Sequence, residues 1–107
     1  MKYEVELTYH ASEERIDRLA TIIEHLSVGK VILETRDPRY KGTVRCLTST
    51  GIIFVKSCRD NRIITGYMAN MDQLHSMYYS IGRRQIPPKI FNRVQKNNSL
   101  YSFLLEL

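Results

Sequence analysis

The 107-residue chain is 43% hydrophobic, which suffices for the core of one domain and leaves no length for a second. It carries 16 Lys and Arg against 11 Asp and Glu. Two cysteines are too few for a disulfide scaffold, and the lack of a long apolar run excludes a membrane-spanning helix. We therefore expect one domain over residues 1–107. The N-terminus lacks the apolar segment of a secretory signal, which favours a cytoplasmic protein with no membrane partner.

The positive charge is unevenly distributed along the chain. Residues 1–29 have a net charge of −3 (three Lys and Arg, six Asp and Glu), residues 30–66 have +5 (eight and three), and residues 67–107 have +3 (five and two). A focused positive field attracts polyanions, which indicates nucleic acid or an acidic protein as the partner. The alternative is an ordinary solvated basic surface.

The N-terminal third predicts a short strand followed by a helix. Apolar and acidic residues alternate over residues 3–7, Ser12 suits a helix N-cap, and Gly29 suits a helix stop. Between them, apolar residues recur at three- and four-residue steps and form one stripe that must pack on a sheet or a helix. This stripe consists of Ile16, Leu19, Ala20, Ile23 and Leu26.

The central third predicts four strands, because the periodicity becomes extended and three turn signals divide the segment. The connections are too short for crossover helices, so the strands must form an antiparallel meander. A single helix in front of this sheet is expected to cover one face only. The four strands are Lys30–Arg36, Tyr40–Leu47, Gly51–Ser57 and Arg62–Tyr67.

The C-terminal third predicts two helices. Asn70 and Gln73 have the spacing of a capping box, and the helix that they open is expected to end at Gly82. Pro87-Pro88 can open the next helix, whose apolar residues face inward while three cations face out. These cations are Lys89, Arg93 and Lys96. Residues 100–107 are expected to dock as a last strand or turn. The predicted fold class is thus α+β: an N-terminal helix on a four-stranded antiparallel meander sheet, followed by two C-terminal helices.

Several chemistries lack their sequence signatures. The chain has no Gly-rich phosphate loop, no HExxH and no GxSxG motif. Cys46 and Cys58 have no zinc-ligand spacing, and both are expected to be reduced residues of the core or the sheet rather than redox groups. We therefore expect no cofactor and no metal.

The residue types that remain are those needed to cleave RNA without a metal. The reaction requires a group that moves protons near neutral pH and cations that stabilise the charge of the phosphorane. His10 lies in the exposed connection between the predicted first strand and first helix. It can serve as the proton-transfer group, or it can be a surface histidine beside a helix N-terminus.

Cations and hydroxyls on the predicted strands complete the set. Arg45 and Lys56 interrupt otherwise apolar patterns on neighbouring strands, where they could form a phosphate-binding floor or point to solvent from the uncovered face. Thr65 and Tyr67 alternate with their neighbours and share one face of the last strand.

The order of these features resembles the superfamily that groups barnase-like, EndoU-like, colicin-nuclease and RelE-type toxin domains. Its members place a helical element before a four-stranded antiparallel sheet whose exposed face holds the active site. The similarity covers about residues 9–67 and is carried by Tyr9-His10-Ala11 with Arg15, the Arg45 strand, the Lys56 strand and Ile64-Thr65-Gly66-Tyr67.

The resemblance implies roles for individual residues. His10 would be the general base or acid, Arg45 and Lys56 would bind the phosphate and the phosphorane, and Thr65 with Tyr67 would orient the substrate. Tyr67 could also stack on a base.

Three further arginines are candidate phosphate ligands. Arg15 can contact phosphate or pair with glutamates of its own helix. Arg59 and Arg62 flank the last predicted turn and suit general attraction of RNA.

The expected function is that of a metal-independent endoribonuclease or toxin-like domain, which converts RNA to a 2′,3′-cyclic phosphate and is inhibited by an acidic protein. The alternatives are a non-catalytic module of a prokaryote or phage that binds nucleic acid or an acidic protein, and a degenerate superfamily member kept for interaction. The sequence leaves the oligomeric state open.

Overall fold

The computed structural model describes residues 16–60 and 62–106, and it confirms the α+β class. The predicted strand over residues 3–7, the N-cap Ser12 and the candidates His10 and Arg15 lie outside the described residues. The elements follow in the order α1 (Ile16–His25), β1 (Val31–Arg36), β2 (Thr43–Thr48), β3 (Ile52–Ser57), β4 (Ile63–Met68), α2 (Met71–Ser80), α3 (Pro88–Leu100) and a 3-10 helix (Ser102–Glu106).

The four strands form one sheet in the order β1-β2-β3-β4, with every neighbouring pair antiparallel. This is the predicted meander. In the β2–β3 pair, Arg45 lies opposite Val55 and Lys56 lies opposite Val44. Directly opposed residues share a face, and successive residues of a strand alternate between faces. The sheet therefore has an Arg45 face, which includes Val55, and a Lys56 face, which includes Val44.

The centre of the sheet is buried on both faces. Ile53 and Val55 of β3 are fully buried on the Arg45 face, and Ile52 and Phe54 are buried on the Lys56 face. A single N-terminal helix is expected to cover one face only, so other elements must cover the second face. Residues 52–55 of β3 form a continuous apolar run, as expected of a strand that is buried on both faces.

Helix α2 contributes to the cover of the Arg45 face. On the Arg45 face, Arg45 Nη1 donates a hydrogen bond of 3.4 Å to Ser76 Oγ of α2. Helix α1 contacts β4 and the 3-10 helix, and Ile22 and the residue after the helix, Leu26, are buried. Ala20 and Ile23 of the predicted stripe are exposed, so their placement on the buried side is wrong. The 3-10 helix takes the place of the predicted last strand or turn, and it buries Leu104 completely.

Both C-terminal helices begin where the sequence predicts. The Asn70 side chain accepts a hydrogen bond from the Gln73 backbone N–H, and the Gln73 side chain accepts one from the Asn70 backbone N–H, so the capping box is formed. Helix α3 begins at Pro88, and Ile90 and Val94 are buried. None of the helices in the described part of the chain has the length and apolar character needed to cross a membrane.

A glycine allows α3 to approach the β2–β3 turn. Gly51 has a φ of +89°, and a Cβ atom there would lie 2.7 Å from Asn97 Nδ2. Asn97 Nδ2 donates a 2.8 Å hydrogen bond to the Thr50 carbonyl oxygen. Only glycine combines this backbone conformation with this close contact, so the turn and α3 are joined by a buried polar contact.

Candidate functional site

The structure divides the predicted site residues into three locations. Arg45, Thr65 and Tyr67 lie on the Arg45 face, because Arg45 opposes Val55, Val55 opposes Thr65, and Tyr67 is two residues beyond Thr65. Lys56 lies on the other face. Arg59 and Arg62 flank the β3–β4 turn at the surface.

A transverse row of polar side chains crosses the Arg45 face. Thr35 of β1 opposes Arg45, and Thr65 lies two strands away in the same row. Their exposed fractions are only 6%, 6% and 8%, respectively. Three buried side-chain atoms of the described residues have no hydrogen-bond partner, and all three belong to this row. They are Thr35 Oγ1, Arg45 Nε and Thr65 Oγ1. A buried polar atom without a partner costs about 1–3 kcal/mol, so this row is the least satisfied part of the interior.

Arg45 is the most unusual member of this row. No carboxylate in the described residues lies within ion-pair distance of its guanidinium, and its 3.4 Å bond to Ser76 Oγ is long. Buried cations are normally paired with an anion because desolvation of an unpaired charge is expensive. A phosphate oxygen would satisfy Arg45 Nε and the neighbouring hydroxyls in a way that the protein itself does not.

Tyr67 is connected to an arginine that the sequence did not indicate. Arg39 Nη2 donates to Tyr67 Oη at 3.2 Å and forms an ion pair of 3.3 Å with Asp37 Oδ2. Burial raises the pKa of the Tyr67 phenol, and the nearby Arg39 guanidinium opposes that shift. Tyr67 therefore holds its proton and is a hydrogen-bonding group rather than a phenolate base at neutral pH.

Arg39 was missed because its role depends on a contact 28 residues away. The Asp-Pro-Arg sequence that ends at Arg39 favours an Asx turn, which is a local feature that the sequence does contain. In this turn Asp37 Oδ1 accepts a 2.8 Å hydrogen bond from the Arg39 backbone N–H. That turn orients the Arg39 side chain, and the hydrogen bond to Asp37 raises the pKa of its guanidinium further.

Lys56 has a carboxylate partner on its own face. Lys56 Nζ lies 3.4 Å from Glu34 Oε1, and only 11% of its side chain is exposed. Cys46 Sγ lies 3.8 Å from the same oxygen. The prediction that Arg45 and Lys56 form one phosphate-binding floor is therefore wrong. The register of β2 with β3 pairs Arg45 with Val55, the residue before Lys56, so the two cations lie on opposite faces. The alternative that both cations point to solvent is wrong as well, since both are largely buried.

Cys46 and Cys58 differ in environment. Cys46 is buried, and burial together with the adjacent Glu34 carboxylate raises the pKa of its thiol to about 12. Cys58 is exposed at the β3–β4 turn. A thiol that stays protonated is a poor nucleophile and metal ligand, so Cys46 behaves as a core residue.

Arg59 and Arg62 are exposed residues of the β3–β4 turn. Arg62 Nε lies 3.2 Å from Asp60 Oδ2, and both side chains are about half exposed. Surface pairs of this kind contribute little to stability, so this pair adds little to the fold. Arg59 is exposed and has no ion pair with a described residue.

The C-terminal region carries a set of exposed cations, two in the connection between α2 and α3 and three on α3. Residues 73–105 contain no Asp or Glu. Five cations in this segment are exposed, and none has an ion pair with another described residue. We call this set the basic helical surface; it consists of Arg83, Arg84, Lys89, Arg93 and Lys96.

Comparisons with known protein families, curated proteins and solved structures find no match to this chain. Among the described residues, no three His, Cys, Asp or Glu side chains are grouped as metal ligands. Two features of the chain itself bear on its function, the buried row on the Arg45 face and the basic helical surface.

Proposed function

We propose that this chain binds RNA through the basic helical surface. The observation that carries the proposal is the concentration of five exposed cations, none paired with another described residue, in a segment whose sequence has no carboxylate. Such a surface attracts the phosphate backbone and releases its counterions. The resemblance to RNA-directed nuclease domains favours RNA over DNA as the ligand.

The arrangement on α3 supports a ligand with repeated negative charge. Lys89, Arg93 and Lys96 are spaced at i, i+4 and i+7, and all three are exposed. With a rise of 1.5 Å per residue, they are separated along the axis by about 6 Å and then about 4.5 Å. Like charges at this spacing repel one another and cost the free helix a few tenths of a kcal/mol per pair. A bound phosphate chain would remove that repulsion.

Salt dependence tests the proposal directly. If the five cations neutralise five phosphates of single-stranded RNA, the logarithm of the association constant should fall with the logarithm of the salt concentration with a slope of about −3.5. The affinity should therefore fall about 100-fold between about 50 and 200 mM salt. Fluorescence anisotropy of a labelled single-stranded RNA measures this slope. The double substitution Arg93→Gln with Lys96→Gln should reduce its magnitude by about 1.4.

The matched control has the same change of charge at the other candidate surface. Arg59→Gln with Arg62→Gln removes two exposed cations from the β3–β4 turn. A smaller effect than that of the α3 pair supports the basic helical surface. An equal or larger effect, or no binding of wild-type protein at low salt, contradicts it.

A second candidate function, the metal-independent endoribonuclease, is favoured by the convergence of Arg45, Thr65 and Tyr67 on one face. In this proposal Arg45 binds the scissile phosphate and stabilises the phosphorane, while Thr65 and Tyr67 orient it by hydrogen bonds. His10 removes the proton of the 2′-hydroxyl or protonates the leaving 5′ oxygen, and the product is a 2′,3′-cyclic phosphate.

This candidate requires access to a buried row. Arg45, Thr65 and Tyr67 are each less than a tenth exposed, so α2 must move away from the Arg45 face before RNA reaches them. Lys56 would take no direct part from the opposite face. Binding by the basic helical surface requires no such movement, which is why it is the first proposal.

Cleavage assays separate the two functions. Wild-type protein is incubated with tRNA and with single-stranded RNA in EDTA, beside His10→Ala, Arg45→Lys and Lys56→Met. Catalysis on the Arg45 face is supported if wild-type protein forms cyclic-phosphate products, if His10→Ala and Arg45→Lys do not, and if Lys56→Met still does. Salt-sensitive binding without any cleavage contradicts it, and loss of cleavage in folded Lys56→Met contradicts the assignment of the site to that face.

A further inference from the structure

A groove of about 420 Å³ lies between β1 and the connection from α2 to α3. Three cations line it, Lys30 before β1, Arg83 after α2 and Lys89 in α3. Among the described residues, no carboxylate lines it and none pairs with any of the three cations. Its size lies in the range of about 300–1,000 Å³ that is usual for binding pockets.

The wall of the groove is aliphatic. Ile32 is 40% exposed and Ile81 is 45% exposed, although residues of this size are usually buried, and Ile90 contributes beside them. Ile32 and Leu33 both line the groove although they are consecutive. The β-bulge between Val31 and Leu33 allows this, because a bulge interrupts the strict alternation of side chains.

The wall distinguishes this groove from a site for a nucleobase. Tyr78 is the aromatic residue of the lining, but it is only 5% exposed, so its ring cannot act as a stacking platform. The uncharged polar side chains of the lining are those of Ser49 and Tyr78, which leaves few groups to read a base edge. Isoleucine walls instead suit an aliphatic side chain.

We propose that this groove binds an acidic segment of a partner protein. One aliphatic side chain of the partner packs against the exposed Ile32 and Ile81, and its flanking carboxylates pair with the cations. Charge complementarity selects the acidic residues, and the aliphatic wall selects protein over RNA, whose phosphates gain nothing from it. Arg83 and Lys89 also belong to the basic helical surface, so the peptide and RNA would use two cations in common, but only the peptide would use the aliphatic wall.

A peptide of about eight residues, long enough to follow β1, is the probe. It has Leu and Ile flanked by Asp and Glu and carries a fluorophore for anisotropy. In one control peptide Asn and Gln replace the acids, and in the other Ser replaces Leu and Ile. We expect each control peptide to bind at least about tenfold more weakly than the probe.

Two variants with matched exposure locate the site. Ile32→Ser removes an exposed side chain from the groove, and Ile23→Ser removes one that is 42% exposed on α1, outside the groove lining. Ile32→Ser should weaken peptide binding about tenfold while Ile23→Ser leaves it within about twofold. RNA binding should be unchanged in both variants, which separates this inference from the proposed function.

Four outcomes overturn the inference. If the Asn/Gln control binds as tightly as the probe, the acidic residues are not required for binding. If the Ser control binds as tightly as the probe, the aliphatic side chains are not required. Loss of RNA affinity in Ile32→Ser assigns the groove to RNA. Octanoate that binds as tightly as the peptide, and in competition with it, assigns the groove to small amphiphilic anions rather than to a protein.

Discussion

Replacing Arg45 by methionine should stabilise the folded chain, although it removes a charged side chain from a sheet. The Arg45 guanidinium is nearly fully buried, its Nε has no partner, and its hydrogen bond to Ser76 is 3.4 Å long. Methionine fills a similar length with an uncharged, adaptable side chain. The substitution therefore removes a desolvated charge that the protein itself satisfies poorly.

The magnitude follows from these contacts. Removal of the unpaired Nε donor recovers about 1–3 kcal/mol, and loss of the long hydrogen bond to Ser76 costs about 0.5–1.5 kcal/mol. The free energy of unfolding should therefore rise by about 1 kcal/mol, which raises Tm by about 4–8 °C in a domain of this size. Lys56→Met is the matched control, since Lys56 has a carboxylate partner at 3.4 Å. It should lower stability, by about 1 kcal/mol.

Urea unfolding followed by circular dichroism measures both variants. Arg45→Met should move the midpoint to higher urea with an unchanged m value, and Lys56→Met should move it to lower urea. A midpoint for Arg45→Met that falls by the equivalent of 1 kcal/mol or more would refute the reasoning. It would mean that the guanidinium gains more from its surroundings than its desolvation costs.

Other predictions follow from single contacts. Iodoacetamide should label Cys58 in the folded chain and Cys46 only in urea, as mass spectrometry can show, because burial raises the pKa of Cys46 to about 12. This folded-state pKa exceeds the ordinary value of 9.0, so the protonated Cys46 thiol contributes fully to the free energy of unfolding below about pH 9. That contribution is lost as the pH rises towards 12, and Cys46→Val, which has no thiol to ionise, should therefore unfold less readily in alkali than the wild type. Asn97→Ala removes the buried hydrogen bond to Thr50 and should lower the free energy of unfolding by about 1–3 kcal/mol in urea titrations. Asn70→Ala removes the N-cap of α2 and should cost about 1 kcal/mol by the same measurement, and no loss in either variant would contradict the assigned contact.

The number and order of the strands could be predicted because their signals are local. Turn residues separate the extended segments, and the connections leave only the antiparallel meander. The bounds differ most at the start of β2, predicted at Tyr40 and observed at Thr43. Thr43 Oγ1 donates a 2.6 Å hydrogen bond to the Tyr40 carbonyl oxygen, and Gly42 has a φ of +76°, so the turn extends through residues 40–42.

The composition of the site could not be predicted because register decides it. Arg45 and Lys56 interrupt similar apolar patterns on neighbouring strands, and nothing near either residue tells which face it occupies. The pairing of β2 with β3 places them on opposite faces, and a shift of one residue would have placed them together. The ion pair of Lys56 with Glu34 also spans 22 positions of the sequence, beyond the reach of any local pattern.

The distribution of charge in sequence also differs from its distribution on the surface. Residues 30–66 have the larger net charge, but four of their eight cations are paired with a carboxylate or buried in the described structure, namely Arg39, Arg45, Lys56 and Arg62. All five cations of residues 67–107 are exposed and unpaired among the described residues. Because other elements cover both faces at the centre of the sheet, a polyanion meets the helices and the sheet edge before it meets the strands. The segment with the smaller net charge therefore has at least as many exposed cations without a described partner, and this is the physical reason for our proposal that RNA binds α3 rather than the sheet.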